Sequence, residues 1–325
     1  MTDAYPVSPA ARDRWILARR GPRPSLDATK PFASLLEHEP DENGRVISCA
    51  TIFLTNRECP WRCVMCDLWQ NTLADTVLPG AIAAQVDSAL QELATRGPPP
   101  THLKLYNSGS FFDPRAVPPG DWPLVAQRVR SFERTIVDCH PTLVGDAAAR
   151  FRDLLGGKLE VAMGLETAHP QVLEKLNKRM TLDQFARAAE FLRRHGIALR
   201  AFILVQPPFL TDAGEALHWA RRSLDFAFDC GATVASLIPV RGGNGAMEAL
   251  AARGEFVPPR LETLEAAHDH GLRRRRGRVF ADLWDLEKFS SCEVCFAARR
   301  ERLQRMNLTQ AVEPAVECAG CAKLK

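Results

Sequence analysis

The chain reads as an α/β protein on three observations. Six short apolar runs recur along it, amphipathic helical stretches separate them, and the residues with distinctive chemistry fall just after the runs. The runs are residues 47–55, 101–106, 134–139, 159–164, 198–205 and 232–240. Apolar and often β-branched, they suit parallel strands covered on both faces. A helix is predicted over 80–96, after Pro79 and ending before Gly97. Another spans 181–196, opened by a Thr181 cap and closed at Gly196. A third covers 213–229. Strands alternating with helices imply right-handed crossovers, and such sheets place ligands at the carboxyl ends of their strands.

Four segments follow from composition. Residues 1–44, rich in Pro and Arg, read as an irregular arm or short helical preface. Residues 45–245 form the α/β core. Residues 246–290 are helical over 246–271 and then basic, and 291–325 form a cysteine-rich tail. With 325 residues, 46% hydrophobic and 25% charged, the chain has ample material for a core. No apolar run reaches about 18 residues, so no transmembrane helix is predicted. The N-terminus lacks the apolar region of a signal peptide. A cytoplasmic location without a membrane partner is expected. The net charge of +3 permits nucleic acid without requiring it.

The ten cysteines are clustered. A reducing compartment disfavours a disulfide scaffold, so clustering reads as metal ligation. Cys59, Cys63 and Cys66, spaced C-x3-C-x2-C, follow directly on the first strand. A compact loop of this kind can aim three thiolates at one 4Fe–4S cluster and leave the fourth iron open for chemistry. A zinc loop or three unrelated thiols is the alternative. Cys292-x2-Cys295 and Cys318-x2-Cys321, 22 residues apart, read as a closed four-thiolate site for zinc or an auxiliary 4Fe–4S cluster. Cys49 and Cys230 sit in apolar runs as core residues.

The Cys59–Cys63–Cys66 motif resembles the signature of radical S-adenosylmethionine (SAM) enzymes, with Met65 where that family usually has an aromatic residue. The resemblance implies a partial (β/α)6 TIM-like barrel. It implies a 4Fe–4S cluster whose open iron holds SAM by its amino and carboxylate groups. It further implies reductive cleavage of SAM to a 5′-deoxyadenosyl radical, fed by a reductant such as flavodoxin or ferredoxin. Asn107, Ser108, Gly109 and Ser110 would form the turn that meets the SAM amino group, although such a turn has a plain structural reading too. Glu166 would lie near bound SAM or cap a helix. Arg200 would grip the SAM carboxylate or lie at the surface. Gln206 would face the pocket, and Pro239 would flank adenine. Tyr106 and Cys139, at strand ends, are candidate hydrogen-atom donors to a substrate radical, a buried structural thiol being the alternative reading of Cys139.

Four segments carry a narrower resemblance. They are NSGSFFDPRAVP, the block from GLETAHPQ to FLRRHG with Asn177-Lys178-Arg179, the AFILVQPPFLTDAGEAL block with Pro207-Pro208-Phe209, and GEFVPPRLETL. Over roughly residues 45–270 they resemble the radical SAM subunit of archaeosine synthase, related to the Elongator catalytic subunit. That family acts on a lysine-bearing deazaguanine in tRNA, cleaving a carbon–nitrogen bond. The expectation is therefore modification of a tRNA nucleoside or deazapurine-like substrate, with tRNA as a candidate partner. The alternatives are radical chemistry on a small metabolite or natural product, and a non-catalytic iron–sulfur or RNA-binding protein. Arg273 to Arg276, Arg278, Arg299, Arg300, Arg302 and Arg305 would dock phosphates or form a solvated helix face.

Overall fold

Residues 4–322 are described in the computed structural model. Eight strands form one sheet in sequential order: β1 (Ala33–Pro40), β2 (Val46–Phe53), β3 (His102–Tyr106), β4 (Arg134–Cys139), β5 (Lys158–Glu166), β6 (Ala198–Val205), β7 (Val234–Pro239) and β8 (Arg278–Ala281). β1 runs antiparallel to β2, and every later neighbour is parallel. The first and last strands do not pair, so the sheet curls into an open half-barrel. The helices are α1 (Pro9–Leu17), α2 (Ala81–Leu93), α3 (Trp122–Arg128), α4 (Asp146–Leu154), α5 (Pro170–Lys175), α6 (Leu182–Arg194), α7 (Ala213–Asp229), α8 (Ala246–Ala251), α9 (Leu261–Arg274), α10 (Glu293–Thr309) and α11 (Ala319–Ala322). No described helix is long and apolar enough to cross a membrane.

The six expected strands are all present. α6 starts at a full capping box between Thr181 and Gln184, and α7 starts where Asp212 accepts the Glu215 N–H. The two flanking strands were not expected. β1 lies inside the segment read as an arm, and β8 lies inside the basic run. Both turn charges inward, which hides them from a search for apolar runs. Glu37 and Glu39 of β1 reach the Lys104 ammonium on β3, and Arg278 of β8 approaches Glu160 on β5. The helical stretch expected over 246–271 is two helices. Gly254 (φ +71°) and the Pro258-Pro259 pair interrupt it, because proline has no N–H to continue a helix.

The outward face of the sheet packs on the helices in the main core, with Val137, Cys139, Val161, Leu199 and Leu237 among its members. The inward face is different. Cys49, Ile136 and Ala162 form a small apolar patch with Tyr106 and Phe202. Around them runs an ion network in which Arg200 bonds Glu160 at 2.7 Å and Glu39 at 2.8 Å, while Arg134 stands 3.6 Å from Glu160. α10 lies across the open seam, packed on both β1 and β8, and Arg278 donates to the Pro40 carbonyl at 2.7 Å.

The N-terminal segment also has work at the other end of the sheet. Trp15 and Ile16 of α1 join Val64, Leu176, Leu204, Val240 and Met247 in a second core over the carboxyl ends of the strands. Arg12, buried, forks onto Glu174.

Candidate active site

The loop after β2 carries Cys59, Cys63 and Cys66, and its backbone is held by side chains from distant elements. Asn244 Nδ2 donates to the Val64 carbonyl at 2.8 Å and the Cys66 carbonyl at 3.2 Å. Asn177 Nδ2 donates to the Arg62 carbonyl at 2.7 Å. The Val64 N–H donates to the Leu176 carbonyl. Trp61 stacks on His140 with ring centres 3.7 Å apart and planes 7° from parallel. Nδ1 of His140 accepts from the Thr142 N–H, so Nε2 carries the proton donated to the Lys178 carbonyl at 2.9 Å. Burial and the nearby Lys178 ammonium push the His140 pKa down to about 3, keeping the ring neutral. Beside Cys59, the Glu58 carboxylate is shared by Arg20, Arg23 and Arg62.

The protein around the loop pushes its thiols up, Cys59 to about 12 and Cys66 to about 11, with Cys63 raised well above its usual value. The thiols act on one another, and Lys178 and Glu166 act on Cys63. The cysteine loop and the end of β5 therefore face a common space. A bound metal, displacing the thiol proton, would hold such groups as thiolates at neutral pH.

The other strand ends complete this space. At Gly109 an added Cβ would stand 3.3 Å from the Cys59 Cβ, so the turn after β3 passes close against the cysteine loop. Ser108 and Gln206 hold left-handed backbone (φ +54° and +56°), as does Glu166 (φ +66°) at the bulge that ends β5. Three strained non-glycine residues at three strand ends mark a site whose backbone is held by its surroundings. Ser110 accepts the His140 N–H through its hydroxyl at 2.7 Å. Glu166 pairs with Lys178 at 2.5 Å, both buried.

Asn107 is fully buried, yet neither its side-chain oxygen nor its nitrogen has a hydrogen-bond partner among the described residues, and Gln206 Oε1 also lacks one. Buried polar atoms left unpaired cost about 1–3 kcal/mol each. Two such groups, at the carboxyl ends of β3 and β6, fit a polar ligand such as the amino-acid part of SAM. The three thiols fit a cluster with one open iron, and the spent pairing of Glu166 with Lys178 still leaves a carboxylate beside them.

Two expected residues lie elsewhere. Arg200 faces the interior one layer below the strand ends, and its fork is occupied by Glu39 and Glu160. A grip on a SAM carboxylate is corrected to a structural role. Cys139 faces the helices, because alternation along β4 turns Ile136 and Asp138 inward and Val137 and Cys139 outward. Its thiol donates to the His140 carbonyl at 3.2 Å. Tyr106 does face the interior, 5.9 Å from the Phe202 ring. Pro239 ends β7 beside Val205, in register.

Asp138, which sequence reading passed over, takes the inward place expected of Cys139. Its carboxylate accepts the Asn107 N–H at 3.0 Å and the Gly109 N–H at 3.5 Å, shaping the turn. Burial raises its pKa to about 6, against the lowering effect of those bonds. An acid inside an apolar strand was the available signal. The Asn244 brace had none beyond its place in a glycine-rich loop. Replacing Asn244 with Ala removes both bonds to the cysteine loop, and by analogy with outer-shell ligands is expected to weaken iron retention roughly 10–100-fold. Iron released to a chelator over time measures this, with Asn244→Asp as a control that keeps the shape but not the donor.

The basic runs are largely spent. Arg299 and Arg302 are buried, bound to Glu262, Glu265 and Asp269 of α9, and Arg274 and Arg276 pair with Asp225 and Asp229 of α7. Of the two readings open for these arginines, phosphate docking or a solvated helix face, Arg299 and Arg302 follow neither: they form a buried ion network fastening α10 to α9, while the Arg274 and Arg276 pairs lie at the surface. Arg300 remains exposed, lining a shallow cavity of about 430 Å³ with Trp284 and Glu287.

An open α/β half-barrel with a C-x3-C-x2-C loop at its strand ends defines the class, that of radical SAM enzymes, and the similarities to known proteins support it. No family model matches it. Archaeosine synthase subunit beta of Methanosarcina acetivorans is 24% identical over 294 residues, 82% of this chain and 81% of that protein. An uncharacterised protein of Methanocaldococcus jannaschii is 23% identical over 312 residues, 90% of this chain and 85% of that protein. Among solved structures, Methanocaldococcus infernus Elp3 shares the fold with a TM-score of 0.52 at 14% identity, over 69% of this chain and 59% of that one.

Proposed function

We propose that this enzyme cleaves SAM reductively at a cluster on Cys59, Cys63 and Cys66, and modifies a tRNA nucleoside or a deazapurine-like base. The similarity to archaeosine synthase subunit beta along four-fifths of both chains carries the substrate reading. When bound, the cluster and SAM supply the electron and the radical. The chain's own residues place the reactants and exclude water. Asn107 and Gln206 offer unpaired polar atoms to the amino-acid part of SAM, and Glu166 offers its carboxylate. Asp138 holds the Asn107–Gly109 turn, and Pro239 borders the adenine side. Tyr106 faces the interior beside Phe202 and Phe53, where an aromatic base would find stacking partners. Trp284, exposed beside Arg300, offers a second aromatic face at the mouth. A flavodoxin or ferredoxin would supply the electron.

The test is 5′-deoxyadenosine release by the anaerobically reconstituted, dithionite-reduced enzyme, alone, with bulk tRNA, and with free deazaguanine bases. Stimulation by tRNA or by a deazapurine supports the reading. Release that neither one stimulates, but a small-metabolite extract does, overturns the substrate class while leaving the radical chemistry standing.

A further inference from the structure

The tail of the chain forms a site separate from the strand ends. The four sulfurs of Cys292, Cys295, Cys318 and Cys321 all lie within 4.8 Å of one another. Cys292 and Cys318 are 3.9 Å apart, and Cys295 and Cys321 are 3.5 Å apart. All four are free thiols, and these separations are far beyond a disulfide bond of about 2.05 Å. They match a single tetrahedral ion. Four sulfurs at about 2.3 Å from a zinc stand about 3.8 Å from each other. A 4Fe–4S cubane places four irons and four sulfides between its thiolates and needs a wider cage. The cage also has little room to expand at one side: at Gly320 an added Cβ would lie 3.4 Å from both the Cys292 and Cys318 sulfurs.

The surroundings say what the ion would hold. Cys292 and Cys295 open α10, the helix that covers the seam between β1 and β8. Cys318 and Cys321 lie on the segment that doubles back along it. Midway, Arg302 donates to the Glu313 carbonyl at 2.7 Å and the Pro314 carbonyl at 2.8 Å, and Arg305 pairs with the Glu313 carboxylate. Two ties thus fasten tail to helix, one of arginine and one of sulfur. The loop just before α10 carries Trp284, whose carbonyl accepts from Arg241.

We propose that Cys292, Cys295, Cys318 and Cys321 hold one zinc ion in a closed tetrathiolate site that clasps the tail to α10 and keeps that helix on the half-barrel seam. Four protein ligands leave no open position, so the ion is structural and carries no redox step. Metal analysis of the full chain purified anaerobically tests this with two variants. Cys59→Ala/Cys63→Ala/Cys66→Ala should keep one zinc per chain and lose iron. Cys318→Ser/Cys321→Ser should lose the zinc and keep its iron and the reduced cluster's EPR signal, while trypsin cuts α10 after Arg302 and Arg305 more readily once the tail no longer covers them. Cobalt replacing the zinc should show the intense visible bands of a tetrahedral tetrathiolate. The proposal is overturned if the triple variant retains about four irons, which would mark an auxiliary cluster. It is equally overturned if all four tail thiols alkylate at once in the native, metal-replete protein.

Discussion

Replacing any one of Cys59, Cys63 and Cys66 with alanine is expected to reduce 5′-deoxyadenosine formation to background and to empty the strand-end site of iron. Each thiol would hold one iron, and no fourth thiol stands by in the loop to replace it. The fold should survive. The loop backbone is braced by Asn177, Asn244 and the Trp61–His140 stack, none of which uses the sulfurs. The measurement is paired: iron content and SAM cleavage on one side, thermal unfolding on the other. Activity lost with an unchanged unfolding temperature supports the assignment. A variant that keeps both iron and cleavage removes that cysteine from the cluster.

Replacing Arg200 with methionine is expected to destabilise the fold by roughly 3–5 kcal/mol, because it strands buried carboxylates. Glu160 has no exposure, and Arg200 is its nearest partner at 2.7 Å. Arg134 and Arg278, at 3.6 and 3.9 Å, remain as weaker compensation. The pH dependence follows from the same groups. Burial works to raise the Glu160 pKa, but Arg200 and then Arg134 and Arg278 hold it below the usual carboxylate range. Glu39 is depressed likewise by Arg200 and Lys104, against its own burial. Their stabilisation is fully present above the unfolded pKa of about 4.3, and is lost as pH falls through the lower folded values. Without Arg200 the carboxylates titrate higher, so acid unfolding should begin at a higher pH. Urea titrations between pH 3 and 7 measure both effects. Adding Glu160→Gln should recover part of the loss, since removing both partners leaves less uncompensated charge. If Arg200→Met folds normally but binds SAM poorly, the structural assignment fails and the carboxylate grip returns.

The place of Cys139 shows where local pattern stops informing. Cys139 and Asp138 are neighbours on one strand, and only the register of β4 decides which faces the interior. A one-residue difference in the assumed phase exchanges them. The arginines of α10 read as a solvated or phosphate-binding stripe because their acids lie 33–37 positions away, on α9. The brace on the cysteine loop is more remote still, since Asn244 bonds carbonyls 178 and 180 residues earlier.

Sequence alone determined what is written in short-range periodicity and spacing: the six central parallel strands, the Thr181 cap, and the two cysteine groups. Apolar runs, cap residues and ligand spacing act within a few residues, so they can be read in order along the chain. Tertiary structure alone decided the rest. β1 and β8 exist as strands because inward charges find partners across the barrel, with Arg200 meeting Glu39 161 positions away. The tail sulfurs converge because α10 is folded back on by the chain that follows it. Burying a charge is unfavourable until its counter-ion arrives, and where that counter-ion comes from is a property of the assembled sheet, not of any one segment.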